Sequence, residues 1–224
     1  GYLKKNGIKK GDRVCAYMPN CPETIITMLA TSALGAVFSS CSTDFGVSGV
    51  LDRFKQIEPK ILVTVDGYLY NGKRIYRHNE VHEIVNGLET LENTVLLKYL
   101  DKSDNVKYSF KFDYFETVYF SVPIEKFASV NFNDPLYIVF SSGTTGAPKC
   151  IVHGAGGVLL QHAKEHKLHA NIKEGDKVFY FSTCGWMMWN WLVGALFSKA
   201  TIILYEGSPF FEGPMKLWDL AENE

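Results

Sequence analysis

The sequence predicts an α/β fold with a mostly parallel sheet and flanking helices. Short apolar segments alternate along the chain with longer segments whose apolar residues recur at helical spacing. The first strand, helix and strand fall within about thirty residues, which is the length of a parallel crossover unit. The alternation continues through the chain without an internal repeat or a low-complexity linker. Such an order of elements is typical of a parallel sheet covered by helices.

The individual elements are predicted from this periodicity and from the turn residues between segments. Strands are expected at residues 13–18, 36–40, 60–65, 94–99, 135–140, 177–181 and 201–205. Helices are expected at residues 24–34, 47–57, 75–91, 157–169 and 187–197, and a turn-rich segment at 66–73. Between residues 101 and 133 the pattern weakens and aromatic side chains are dense, which favours packing over a ligand site. These aromatic residues are Phe110, Phe112, Tyr114, Phe115, Tyr119 and Phe120.

Composition and charge exclude several classes of function. With 46% hydrophobic and 21% charged residues, the chain has enough apolar material for a globular core. A net charge of −1 gives no general attraction to nucleic acid or to an anionic membrane. Two uncharged stretches, residues 24–43 and 178–198, approach the length of a membrane span. Because polar residues and glycines interrupt both, we interpret them as buried α/β core.

The cysteines and the first residues predict a cytosolic protein. The five cysteines are scattered without a C-x-x-C pair, which argues for reduced thiols. The start, Gly-Tyr-Leu-Lys-Lys-Asn, resembles neither a signal peptide nor a transit peptide.

Three histidines and a group of large aromatic residues each have two interpretations. His162, His166 and His169 share one helix face and could gather a metal ion, but an exposed polar face is favoured because no clustered cysteine or Glu-x-x-His supports a metal site. The large aromatic residues belong either to the core or to a functional site; they are Tyr180, Trp186, Trp189 and Trp191.

One loop carries the clearest chemical signal. A strand-forming run, Tyr-Ile-Val-Phe, leads into residues 141–149, which contain four hydroxyls, two glycines and a terminal lysine. Glycines let the backbone approach a ligand closely, and successive N–H groups in such a loop can bind an anion. The candidate phosphate-binding residues are Ser141, Ser142, Gly143, Thr144, Thr145, Gly146 and Lys149. Lys149 is also the candidate catalytic residue, because its ammonium can neutralise phosphate charge. The alternative is an ordinary polar surface turn.

This loop, continued by Cys-Ile-Val-His at residues 150–153, resembles the phosphate-binding signature of the adenylate-forming superfamily. That superfamily includes acyl-CoA synthetases, peptide-synthetase adenylation domains and luciferases. A second block, Ser-Thr-Cys-Gly-Trp at residues 182–186, resembles the motif that borders their acyl pocket. The resemblance implies that Trp186, Met187 and Met188 line such a pocket. It extends over nearly the whole chain, and it is strongest to the branch of acetate-type synthetases that acts on acetoacetate.

The resemblance also implies what the chain contains. Residues 1–224 are expected to be part of the large N-terminal AMP-binding domain. The family's later Tyr-Gly-x-Thr-Glu-like block, its ribose-binding aspartate and its small C-terminal domain, which carries the adenylation lysine, have no counterpart before Glu224. We therefore expect an internal piece of a longer enzyme that is inactive by itself.

The activity implied by the resemblance is the ligation of an acid to a thiol. The acid, acetoacetate, reacts with ATP and Mg²⁺ to form an acyl-adenylate, and the acyl group then passes to CoA. All three substrates are small molecules, and no nucleic-acid partner or membrane span is implied. The family arginine near the CoA nucleotide has no clear match here, so CoA-binding residues stay unknown; Lys73 and Arg74 are the candidates to replace it.

Two alternative functions remain open. The chain could belong to an adenylating enzyme for another carboxylic acid, or for another acceptor such as a carrier-protein thiol. It could also be a truncated, non-catalytic product that binds nucleotide or a partner.

Overall fold

A computed structural model of the chain describes residues 1–101, 106–143 and 146–224. The strands in these residues are β1 Arg13–Tyr17, β2 Val37–Cys41, β3 Ile61–Val65, β4 Gly67–Tyr70, β5 Lys73–Tyr76, β6 Asn93–Leu97, β7 Phe112–Tyr114, β8 Pro135–Phe140, β9 Cys150–Gly154, β10 Lys177–Phe179 and β11 Thr201–Ile203. The helices are α1 Tyr2–Lys5, α2 Pro22–Ala33, α3 Val47–Phe54, α4 His78–Gly87, α5 Phe115–Val118, α6 Ala155–Lys164, α7 Met187–Gly194 and α8 Lys216–Asn223. A π-helical turn continues α6, and a 3₁₀ turn continues α7.

The main sheet has seven strands in the order β7-β6-β3-β1-β2-β8-β9. All neighbouring strands in it are parallel except β8 and β9, which form an antiparallel pair. Two small sheets accompany it, a parallel pair of β10 with β11 and an antiparallel pair of β4 with β5. The observed architecture therefore confirms the predicted α/β class with a mostly parallel sheet.

Core residues cover both faces of the main sheet. Along β1, Val14 and Ala16 point into one cluster with Trp189 of α7. Cys15 and Tyr17 point into the opposite cluster, which is packed against α3 and α4. Because successive side chains of a strand point to opposite faces, a strand buried on both sides reads as a continuous apolar run. This is why the central strands could be predicted from sequence.

The segment between β3 and α4 differs from the prediction. Instead of a turn followed by a helix from residue 75, the chain forms the β4–β5 hairpin, with Ile75 opposite Tyr68. Asn71 and Gly72 form its two-residue turn and have φ angles of 47° and 70°. Both angles suit a type I′ turn, for which Asn-Gly is a preferred sequence. The helix consequently begins only at His78.

Two of the three histidines on α6 and its continuation are buried, so the prediction of an exposed polar face was wrong. His162 and His166 are buried and their rings lie 5.7 Å apart, while His169 is exposed. The two buried rings fit against α7 because Gly194, at the end of that helix, has no side chain. A Cβ atom at Gly194 would lie 2.3 Å from Nδ1 of His162. Burial lowers the pKa of His162 to about 4. Within the described residues, no group of three or more His, Cys, Asp or Glu could hold a metal ion.

The aromatic-rich segment packs only in part. The rings of Tyr108, Phe110, Phe112 and Tyr114 contact one another in sequence, at centroid distances of 5.0–5.9 Å. By contrast, the side chain of Phe120 is 88% exposed. The expectation of packing is therefore wrong at that end of the segment.

Asn20, at the carboxyl end of β1, joins the main sheet to the small β10–β11 sheet. Its side-chain oxygen accepts a hydrogen bond from the indole N–H of Trp189 at 2.8 Å. Its amide group donates to the carbonyl oxygens of Ser182 and Tyr205, which follow β10 and β11. Its backbone N–H donates to the carboxylate of Glu206 at 2.7 Å. Burial raises the pKa of Glu206 to about 7.

Each helix in the part of the chain that the structure describes is too short or too polar to cross a lipid bilayer.

The raised pKa of Glu206 predicts how the stability of the chain depends on pH. The pKa of this carboxyl group rises from 4.5 in the unfolded chain to about 7 in the folded chain, so the folded state binds the proton more tightly. The free energy of unfolding therefore falls as the pH rises from 4.5 through about 7. Glu206→Gln removes this loss and keeps an oxygen that can accept from Asn20. Urea unfolding at pH 5 and pH 8 should show the variant gaining about 2 kcal/mol relative to wild type between the two values. The same substitution at the exposed Glu222 should give no such gain. If the free energies of unfolding of Glu206→Gln and wild type differ by the same amount at pH 5 and pH 8, the assignment is refuted.

Candidate functional site

The predicted phosphate loop lies where β8 ends, and β9 follows it. Its two ends are hydrogen-bonded to each other. The backbone N–H of Ser141 donates to the carbonyl of Lys149 at 3.0 Å, and the N–H of Lys149 donates to Oγ of Ser141 at 2.9 Å. Ser141 Oγ therefore accepts within the loop and keeps its own proton available for donation. The carboxyl end of β8 is a position where open parallel sheets bind ligands.

Gly143 is required by the shape of the loop. Its φ angle is 72°, in the left-handed region that favours glycine. A Cβ atom there would lie 3.0 Å from the carbonyl oxygen of Gly146 and 3.2 Å from the ring of Pro148. Any larger residue would therefore meet both backbone strain and a close contact.

Three further residues of the loop present their groups to the solvent. Ser142, Gly146 and Lys149 are exposed, and the ammonium of Lys149 forms no ion pair with any residue that the structure describes. Thr144 and Thr145, which were also predicted to bind phosphate, lie outside the described residues. The described part of the loop thus has a cation without an ion-pair partner among the described residues, and exposed polar groups, at the end of strand β8.

The second predicted block lies against the ends of β1 and β2. The thiol of Cys184 donates to the carbonyl of Met18 at 2.9 Å, and the hydroxyl of Ser40 donates to the carbonyl of Cys184 at 2.6 Å. Burial raises the pKa of the Cys184 thiol well above its usual value, which suits a structural role. These contacts fix the turn that precedes Trp186.

Trp186 is the exposed member of this block. It lies just before α7, and its side chain is 45% exposed. Met187 is packed against the core cluster that contains Trp189, and Met188 is half-buried. The two tryptophans of α7 differ, since Trp189 is fully buried and Trp191 half-buried. Of the three predicted acyl-pocket residues, Trp186 has the most side chain available to a ligand.

A row of side chains connects Trp186 to the phosphate loop. The ring of Phe45 meets Trp186 edge-on at 6.1 Å. The guanidinium of Arg53 lies 4.8 Å from the centre of the Phe45 ring and 5.9 Å from that of Phe140, the residue before the loop. The fold therefore brings the two predicted blocks to the same edge of the sheet. Sequence reasoning missed Phe45 and Arg53, because their contacts depend on tertiary structure.

The candidate CoA-binding residues occupy a separate feature. Lys73 and Arg74 lie on strand β5 of the β4–β5 hairpin, and both are exposed. Exposed cations suit a phosphate ligand, but neither residue contacts the phosphate loop or Trp186 through a described hydrogen bond or ion pair.

Comparison with known proteins gives consistent matches. A family model described as "AMP-binding enzyme" matches residues 1–224. Acetoacetyl-CoA synthetase of Mus musculus is 45% identical over 228 residues, and acetoacetyl-coenzyme A synthetase of Rhizobium meliloti is 50% identical over 226 residues. Each alignment covers 99% of this chain and 34% of the relative. The chain thus spans about a third of the length of these relatives.

A solved structure agrees with the sequence matches. Acetoacetyl-CoA synthetase from Streptomyces lividans superposes with a TM-score of 0.93 at 41% sequence identity, covering 99% of this chain and 34% of that one. The resemblance first seen in the phosphate loop and the Ser-Thr-Cys-Gly-Trp block is confirmed, and the predicted fold class with it. Since the family model matches the whole chain, the chain belongs to the AMP-binding enzyme family.

Proposed function

We propose that this chain is part of the large domain of an acid–thiol ligase that activates acetoacetate with ATP and transfers the acyl group to CoA. The observation that carries the proposal is the loop between β8 and β9, with Gly143 in a left-handed conformation and Lys149 unpaired among the described residues. The names of the relatives, at 41–50% identity, support acetoacetate as the acid.

The first half-reaction forms the acyl-adenylate. A carboxylate oxygen of the acid attacks the α-phosphorus of ATP, a new P–O bond forms, and the bond to pyrophosphate breaks. The loop N–H groups and the Lys149 ammonium stabilise negative charge on the phosphates, and no protein nucleophile is required. Mg²⁺ enters with ATP as part of the substrate.

The second half-reaction transfers the acyl group. The CoA sulfur attacks the acyl carbonyl carbon, and the thiol proton passes to solvent. The bond between that carbon and the phosphate oxygen breaks, so that AMP departs. In both steps the chain acts mainly by holding the reacting groups in contact. Trp186 offers a rigid apolar wall beside the loop, connected to it through Phe45 and Arg53. Met187 and Met188 add adaptable surface next to it.

A cytosolic location fits this function. Cys15, Cys21, Cys41 and Cys184 are free thiols and buried, and Cys150 is free and half-buried. Free thiols of this kind persist in a reducing compartment.

The loop assignment predicts that Gly143→Val strongly impairs ATP use. Valine at a φ of 72° is strained by roughly 1–3 kcal/mol and would press on Pro148. In the intact enzyme, ATP–pyrophosphate exchange should fall by about tenfold or more. Gly157→Val is the matched control, because Gly157 is exposed and a Cβ atom there meets nothing within 4 Å. Wild-type exchange in Gly143→Val would remove the loop from the nucleotide site.

The pocket assignment predicts a selective effect of Trp186→Ala. Loss of the apolar wall should raise the KM for the acid, or lower its kcat/KM, by about tenfold while the KM for ATP stays near that of wild type. Steady-state kinetics with each substrate varied in turn measures both values. Trp218→Ala serves as control, since Trp218 lies on α8 and is largely exposed. An effect mainly on ATP, or on thermal stability alone, would place the acyl pocket elsewhere.

A further inference from the structure

The side chain of Gln56 contacts the exit of the phosphate loop. Gln56 lies two residues beyond the end of α3, and its amide nitrogen donates to the carbonyl of Pro148 at 2.8 Å. Its side-chain oxygen accepts from the thiol of Cys150 at 3.4 Å. The amide nitrogen also donates to the carbonyl of Asp52 at 2.6 Å, which ties the side chain to the end of α3. Gln56 therefore bonds to the residues on both sides of Lys149.

The last turn of α3 contacts the entry of the loop. Arg53 lies in this turn and precedes Gln56 by three residues. The Arg53 guanidinium lies over Phe140, which precedes Ser141, and donates to the carbonyl of Gly49 at 2.7 Å. One short segment thus contacts the chain just before the loop and at its end.

The position of Pro148 affects the rest of the loop. Its ring is buried and lies 3.2 Å from the point where a Cβ of Gly143 would be. Holding the Pro148 carbonyl therefore limits where the backbone of Gly143 can lie. Donors that are positioned before a phosphate arrives stabilise its charge without paying for reorganisation.

We propose that Gln56 is a positioning residue, which holds Pro148 and Cys150 so that the loop N–H groups and Lys149 are set for the phosphates of the nucleotide. The inference rests on the proposed function, because it assigns Gln56 to the same ATP reaction. Gln56 is exposed, and its described hydrogen bonds go to Asp52 and to the two residues that flank Lys149, so its loss should change the loop more than global stability.

The first experiment measures loop order without any ligand. Lys149 is exposed, so trypsin can cleave after it when the loop opens. Gln56→Leu keeps the side-chain size but removes the donor and the acceptor. Native-state cleavage after Lys149 should become about fivefold faster, because the hydrogen bonds to Pro148 and Cys150 are lost. Gln161→Leu is the matched control: Gln161 lies on α6 and donates to Glu165 in the π-helical turn that continues this helix, and it has no described hydrogen bond to the loop. Equal cleavage rates in wild type and Gln56→Leu would overturn the inference.

The second experiment tests the consequence for the reaction. In the intact enzyme, Gln56→Leu should raise the KM for ATP in pyrophosphate exchange by about fivefold, with the KM for the acid and the Tm close to wild type. Gln56→Glu keeps the stem and an acceptor but loses the donor to Pro148, and it should show the same change. Equal changes in both KM values together with a lowered Tm would indicate a general structural role and refute the proposal.

Parallel measurement of Gly143→Val separates the two levels of inference. If Gly143→Val loses exchange while Gln56→Leu behaves as wild type, the positioning role is wrong and the proposed function stands. If Gly143→Val has wild-type exchange, the proposed function fails, and with it the role of Gln56 in ATP use.

Discussion

The position of the small β10–β11 sheet relative to the main sheet depends on one buried residue, Asn20. At the end of β1, this residue bonds to Trp189, to the carbonyls that follow β10 and β11, and to Glu206. A buried amide with satisfied donors and acceptor is stabilising, whereas each unpaired group would cost about 1–3 kcal/mol. The segment that carries Trp186 begins at Ser182, one of these partners. The orientation of the candidate acyl pocket is therefore set from the middle of the main sheet.

The phosphate loop is supported in a different way. Its ends are joined by hydrogen bonds between Ser141 and Lys149. Arg53 in the last turn of α3 and Gln56 just beyond it contact the two ends of the loop. Arg53 also touches Phe45, which in turn meets Trp186. Cation–aromatic and aromatic–aromatic contacts of this kind contribute about 0.5–1.5 kcal/mol each. The two halves of the site consequently share one set of side chains, although they are about forty residues apart in sequence.

Sequence reasoning predicted local features well and long-range contacts poorly. The central strands and the loop could be predicted, because burial on both faces and the Ser-Gly-Thr-Thr-Gly run are visible in a short window. The β4–β5 hairpin was missed although Asn71-Gly72 signalled it. His162 and His166 were placed on the surface because helical spacing does not show what packs against a face. The role of Gln56 also depends on residues more than ninety positions away.

The fit between His162 and Gly194 has a consequence for how this sequence can evolve. The imidazole occupies the volume that any side chain at position 194 would need, with only 2.3 Å between its Nδ1 and such a Cβ atom. Because protein interiors are close-packed, neither position can change its size without disturbing the other. Homologues should therefore inherit the two residues as a pair, and a larger residue at 194 should occur only where 162 has become small.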